Sequence, residues 1–295
     1  MANLKEIRTR IASVRSTRKI TNAMKMVAAS KLKRAQDAVI NLRPYDSKLH
    51  EILFSLIRSL EGEEISSLYL RKRREDRVLL VVITSNKGLC GAFNSNIIKK
   101  GVELAHSKYS RQYQKGNLFY FPIGKKGTEF FTSKGYPIYD SDNEILDNVS
   151  FNNAFPVIKQ VMKAFTNKEF DKIEIVYNRF KNAAVQLLTV DQFLPVELKP
   201  ENDDESEAHY NYIFEPSKEF IIRKLIPKTL RTQFYEALLE SLAAEHGARM
   251  TAMHKATDNA TEMINDLQLT YNKARQASIT NEILEVVSGA EALKK

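Results

Sequence analysis

All eight prolines of the chain lie between Pro44 and Pro227. Residues 1–43 and 228–295 contain none, and these two flanks hold only Gly247 and Gly289. A proline breaks the helical ladder, and a glycine costs about 1 kcal/mol relative to alanine, so flanks lacking both are free to run as long helices. At about 1.5 Å per residue, helices of about 57 and about 60 residues built on these flanks would each reach roughly 85–90 Å, well beyond the width of an ordinary domain. The sequence therefore predicts a rod made from the two chain ends, with a globular part inserted between them.

Apolar spacing supports this. Leu4, Ile7, Ile11 and Val14 follow the 3-4-3 rhythm of a coiled-coil seam. Arg18 reads as an interruption, and the stretch from Ile20 to Ala29 as a change of phase. A second set continues through Leu32, Ala35, Val39, Leu42, Leu49, Leu53, Leu56 and Leu60, with one gap at Asp46 beside Pro44. In the C-terminal flank Met253, Ala256, Ala260, Met263, Leu267, Thr270, Ala274 and Ala277 keep the same spacing. Their small side chains fit against the bulkier first seam. Pro227 suits a helix start, preceded by an apolar turn over 220–226. The two helices are expected to run antiparallel. Ile279, Ile283, Leu284, Val286 and Val287 spread over more than one face, which suits an end buried inside another protein.

The middle of the chain has a different period. Val78–Ile83 is an unbroken apolar run, the mark of a strand buried on both faces. A loop over 85–91 and a helix from about Asn94 to Lys108 follow. Leu118–Ile123 reads as a second strand with a turn over 124–127, 152–166 as a helix, and 173–177 and 185–190 as further strands. Alternating strands and helices predict a Rossmann-like α/β domain. The expected organisation is an N-terminal coiled-coil helix over 1–61, a connector over 62–77, the α/β domain over 78–215 and a C-terminal coiled-coil helix over 216–295. Residues 201–207 read as an acidic surface loop.

Composition narrows the chemistry. No run approaches the 18 apolar residues of a membrane span, and the first 30 residues lack the apolar core of a secretory signal. A single cysteine, Cys90, excludes an internal disulfide and reads as a buried thiol. The loop through Gly88 and Gly91 follows a strand but lacks the spacing of a phosphate loop, and Gly124-Lys125-Lys126 fails for the same reason. His50, His106, His209, His246 and His254 show no metal spacing. No catalytic site, cofactor site or metal site is expected. The formal charge is +9, and residues 1–50 alone carry twelve Lys and Arg against Glu6, Asp37 and Asp46. Such a helix invites an acidic neighbour, and three readings stand side by side: a solvated coiled-coil face, a nucleic-acid or anionic-membrane scaffold, or a seat for acidic protein loops. The absence of aromatics from residues 1–43 removes base stacking from the second.

Three blocks carry a resemblance. Leu4-Lys5-Glu6-Ile7-Arg8 with the run from Thr17 to Leu32, the run Ile83–Asn94, and the C-terminal runs Glu245–Met253 and Leu267–Thr280 closely resemble the gamma subunits of F-type ATP synthases. That family more often has Asp-Arg where this chain has Asn86-Lys87, and the cysteine pair of its chloroplast branch is missing. The resemblance implies a rotor shaft. Its terminal helices would form an antiparallel coiled coil inside a hexamer of alpha and beta subunits. Its α/β domain would sit beside the epsilon subunit on the membrane ring of c subunits, on the cytoplasmic face of a bacterial inner membrane. Rotation driven by proton flow would force the catalytic subunits through their states, with no nucleotide site on the shaft itself. By position, Met24 and Lys25 would lie near acidic loops of beta, while Arg249, Arg275, Gln276, Thr280, Ile283 and Val287 would meet the hexamer as coupling contacts.

Overall fold

The structure is a computed structural model that describes residues 4–58, 68–71, 73–196, 215 and 217–292. The expected acidic loop over 201–207, Leu60, His209 and parts of the 62–77 connector lie outside the described residues. Ten elements follow in chain order: α1 (Leu4–Arg58), β1 (Val78–Ile83), α2 (Phe93–His106), α3 (Ser110–Gln114), β2 (Leu118–Ile123), α4 (Lys125–Ser133), α5 (Phe151–Thr166), β3 (Lys172–Phe180), β4 (Gln186–Leu194) and α6 (Lys218–Ala292). They form two compact units, Ala29–Arg249 and the pairing of Met1–Ala28 with Met250–Lys295.

The larger unit is built on a four-stranded sheet in the order β2-β1-β3-β4. β1 pairs in parallel with β2 and β3, while β4 returns antiparallel to β3 as an edge. β1 is central, so its alternating side chains serve two cores. Leu79, Val81 and Ile83 face α5 and the long helices, where Leu53, Leu56, Ile226 and Phe234 pack. Val78, Leu80 and Val82 face α2 and α4, where Ile97, Leu104 and Phe131 pack. Each of the six β1 residues is fully buried.

Two expectations at helix starts are corrected. The residues read as a turn over 124–127 open α4. The hydroxyl of Thr84 accepts from Gly127 N at 2.9 Å, and Asn86 Oδ1 accepts from Lys125 N at 3.0 Å. The free N–H groups of this helix are thus met by side chains about forty residues earlier, which local sequence does not reveal. Gly124 turns the chain at φ 102°, and a Cβ there would stand 2.8 Å from Thr84 O. Gly124→Ala is therefore expected to destabilise the chain by about 2 kcal/mol, measured by urea denaturation. A loss below about 0.5 kcal/mol would show that the β1–α4 junction yields freely.

The second correction is at α6, which starts at Lys218 and carries Pro227 inside the helix. Ser217 caps it: Phe220 N donates to Ser217 Oγ at 3.3 Å and Ile221 N to Ser217 O at 3.1 Å. Ile222 and Ile226 are buried in the core, and that packing holds the helix through the proline. Helix α3 was not expected, and β3 and β4 each extend beyond their expected bounds.

In the smaller unit the ends of α1 and α6 lie antiparallel. Arg8 Nη2 donates to Tyr271 Oη at 2.8 Å, and Thr257 Oγ1 to Thr21 Oγ1 at 2.8 Å. Ile7, Ile11, Thr21 and Ala28 of α1, with Met253, Ala260 and Ile264 of α6, are the buried residues. Burial corrects the seams. Residues 14, 18, 21, 25, 28 and 32 preserve the 4-3 alternation, so α1 does not change phase: Thr21 is buried, and Arg18 and Lys25 are half-buried in seam positions. Asp46 likewise occupies its seam position, at 6% exposure, rather than leaving a gap. In α6 the facing residues are 253, 257, 260, 264, 267, 271, 274 and 278. Met263 is 45% exposed and Ile264 buried, because the buried face follows the second of two rhythms that share half their positions.

Candidate functional site

The loop after β1 is where an open parallel sheet ordinarily presents a ligand crevice, since β2 and β3 lie on opposite sides of β1. Here the loop is braced from within. Asn94 Oδ1 accepts from Ser85 N at 2.9 Å, and Ser85 Oγ donates to Lys87 O at 2.8 Å. Leu89 and Gly91 adopt φ values of 63° and 61°. Asn86 Nδ2 donates to Asn143 O at 2.7 Å and to Asp147 Oδ1 at 3.0 Å while its oxygen caps α4. An aspartate there would keep the cap, lose the donor and repel Asp147.

Arg249 of α6 closes this loop. Its Nη2 donates to Lys87 O at 2.8 Å and to Gly88 O at 3.3 Å, and its Nη1 donates to Glu245 Oε1 at 2.6 Å. The loop thus turns carbonyl oxygens toward a guanidinium, the opposite polarity to a loop that cradles phosphate with N–H groups. Burial raises the Glu245 carboxyl, with Arg249 opposing it. His246, whose Nδ1 lies 3.4 Å from Arg249 Nη1, is pushed down to about 4 by burial and then by Arg249 and Lys31, so its ring is neutral at physiological pH. Burial also raises the Cys90 thiol, which sits against Ser85 and Asn94 and stays protonated.

Beside this clamp α1, α6 and the loops at 86–87 and 146–149 enclose a cleft of ≈ 300 Å³. Lys31, Arg34 and Lys87 line it without ion-pair partners among the described residues. Two cations of α1, Lys31 and Arg34, thus meet Lys87 of the β1 loop at this cleft, beside the carboxyls of Asp147 and Glu245.

The structure separates the expected contact residues into three groups. Met24 and Lys25 are half-buried on α1. Arg249 is 9% exposed and is taken up by the internal clamp, a role its spacing did not indicate. Arg275, Gln276 and Thr280 are exposed on the last part of α6, with the Thr280 hydroxyl donating to Gln276 O at 2.9 Å. Ile283 and Val287 are 57% and 50% exposed, next to the open Ile279, Leu284 and Val286. An apolar helix end left uncovered in the free chain is a surface that binding would bury. No helix among the described residues is long and apolar enough to cross a membrane.

A family model described as ATP synthase matches residues 3–293. The ATP synthase gamma chain of Flavobacterium johnsoniae is 54% identical over 293 residues, covering 99% of each chain. That of Christiangramia forsetii is 52% identical with the same coverage. Among solved structures, a chain from the central stalk and c ring of Tetrahymena thermophila mitochondrial ATP synthase is 30% identical, with a TM-score of 0.60 over 80% of this chain and 99% of that one. A chain of Euglena gracilis mitochondrial ATP synthase, 20% identical, shares the fold with a TM-score of 0.67 over 98% of this chain and 94% of that one. None of these relatives supports a nucleic-acid- or membrane-binding scaffold.

Proposed function

The chain belongs to the ATP synthase gamma-chain family, and from that membership we propose how its parts divide the work of a rotor. It is the central-stalk subunit of an ATP synthase, coupling rotation of a membrane c ring to ATP synthesis and hydrolysis. The subunit is non-catalytic: it transmits torque to nucleotide sites held by alpha and beta. The paired ends of α1 and α6 form the shaft within the alpha/beta hexamer, and the α/β domain bears on the epsilon subunit and the c ring. In a bacterial cell this assembly is peripheral, on the cytoplasmic face of the inner membrane. The domain boundaries read from sequence follow this division, with helices over 1–61 and 216–295 and the α/β domain over 78–215.

One observation carries the reading: the end of α6 is an exposed apolar helix tip on an antiparallel helix pair. Such a tip is suited to turning in an apolar sleeve, because Ile279, Ile283, Leu284, Val286 and Val287 make no directional bond that would pin it, with Glu282 and Glu285 the charges between them. Fixed, desolvated ion pairs would act as brakes, since breaking one costs several kcal/mol. Met24 and Lys25, with the open cations Lys31, Arg34 and Lys87, face acidic loops of beta. Arg275, Gln276, Thr280, Ile283 and Val287 meet the upper hexamer. Arg249 acts differently, by locking the β1 loop to α6 so that torque on the helix reaches the sheet.

Transmission is mainly by shape, with side chains tuning efficiency. Deleting the last ten residues, 286–295, is therefore expected to leave the complex assembled and able to turn while lowering ATP-driven proton pumping several-fold. Co-purification with alpha, beta and epsilon, followed by single-molecule rotation of reconstituted complexes, measures both. Complete loss of rotation in an assembled complex contradicts torque by shape, and failure of the intact chain to co-purify with alpha and beta contradicts the assignment itself.

A further inference from the structure

Within the α/β unit a group of carboxyls lies where α1 crosses α6, apart from the β1 loop and apart from the helix tip. Asp46 comes from a seam position of α1, and Glu236 and Glu240 are one turn apart on α6. Glu240 is 1% exposed and has both oxygens satisfied: Arg43 Nη2 donates to Oε1 at 2.6 Å and Phe180 N to Oε2 at 2.8 Å. Its two oxygens are thus taken up by a cation and a backbone donor.

Glu236 differs. It has no ion pair among the described residues, and the Arg43–Glu240 contact one turn away on each helix sets it beside Asp46, which acts on its carboxyl by charge and as a hydrogen-bond partner. Two carboxylates have no hydrogen to place between them, so one member of such a pair must keep its proton. The surroundings decide which way the pair leans. Arg179 of β3 acts on Glu236 from one side, and Glu240 adds negative charge from the same helix. His50 Nε2 lies 3.5 Å from Asp46 Oδ2 on α1, and it adds positive charge only when protonated. Tyr177 of β3, on which Glu236 also acts, donates its Oη to Asp191 of β4 at 2.8 Å.

We propose that Asp46 and Glu236 share a single proton across the two long helices, forming a pH-sensitive clasp that grips α1 to α6 in acid and loosens as the medium becomes alkaline. Charge placement supports the clasp: the Glu236 carboxyl is pushed up to about 7 by burial first, then by Asp46 and Glu240, with Arg179 opposing. The direction of the effect follows from proton counting. In the unfolded chain Glu236 releases its proton near the ordinary value of about 4.3, so between that pH and about 7 the folded chain holds one proton more. Stability from the clasp is fully present below the unfolded value, falls as pH rises through this window, and is constant above it.

The test uses the full chain and two isosteric variants, with the thermal midpoint followed from pH 5 to pH 8.5. Glu236→Gln imitates the protonated form at every pH. It should match the parent chain at pH 5 and exceed it by roughly 5 °C at pH 8.5. Asp46→Asn supplies its own donor to Glu236, so it should flatten the same difference between the two pH values. A Glu236→Gln midpoint displaced equally at both ends of the range overturns the clasp. So does an Asp46→Asn chain that keeps the parent's full pH dependence, because the proton would then not be shared between those two groups.

Discussion

Replacing Arg249 with methionine is expected to destabilise the full chain by about 4 kcal/mol at pH 8, because it removes one half of a buried ion pair and leaves the other in place. The Glu245 side chain is only 10% exposed, and Arg249 is the sole cation within salt-bridge distance of it among the described residues. The carbonyls of Lys87 and Gly88 also lose their donor, but the loop is open enough there for water to replace part of it. The orphaned carboxylate is therefore the dominant cost. Its sign with pH follows. Burial already raises the Glu245 carboxyl, and without Arg249 nothing comparable opposes that rise. A group with a raised folded value favours the folded state in acid and loses that advantage as pH climbs. The penalty of Arg249→Met, taken against the parent chain, should thus be small at pH 5 and full at pH 8. The double variant Glu245→Gln with Arg249→Met should recover about 2 kcal/mol at pH 8 and lose the pH dependence. Urea denaturation at the two pH values measures all three differences. A penalty below about 1 kcal/mol, unchanged with pH, would mean that the pair contributes little and that α6 does not depend on it to hold the β1 loop.

How far the sequence disclosed this site depends on where each residue finds its partners. β1 and β2 are legible to the residue, because an uninterrupted apolar run of six has few other ways to be buried. The long helices are legible from what they lack. Polar residues on a seam are harder to read. Thr21 and Asp46 look like breaks in an apolar rhythm, yet each is buried because it has a specific polar partner: the Thr257 hydroxyl for one, a second carboxyl for the other. The phase of α6 was ambiguous because two rhythms share residues 253, 260, 267 and 274, and only packing separates Met263 from Ile264. The start of α4 was hidden because its caps, Thr84 and Asn86, belong to another strand's loop. Arg249 was hidden for the same reason. Its spacing marks it as a cation on a helix, while its role is set by carbonyls more than 160 residues away. Periodicity reports burial, and long-range polar pairing lies beyond its reach.

The tip of α6 gives the sharpest test of the rotor reading, because there the free chain and the assembly should respond in opposite ways. Ile283 and Val287 are about half exposed and pack against no core cluster, so Ile283→Asp with Val287→Asp should change the stability of the free chain by less than about 0.5 kcal/mol. If an apolar sleeve of the hexamer encloses this tip, the same two carboxylates must be carried out of water with no cation to meet them. Even after local relaxation that costs at least about 3 kcal/mol, on the order of 100-fold in the association of this chain with alpha and beta. Deletion of residues 286–295 forfeits contact without burying charge, so the charged variant should impair the complex more than the deletion does. Co-assembly titrations of the intact, deleted and doubly charged chains put the three in order. Equal association of the charged and intact chains would place the tip in water within the assembly, and torque would then have to enter the hexamer through the basic flank of α1 instead.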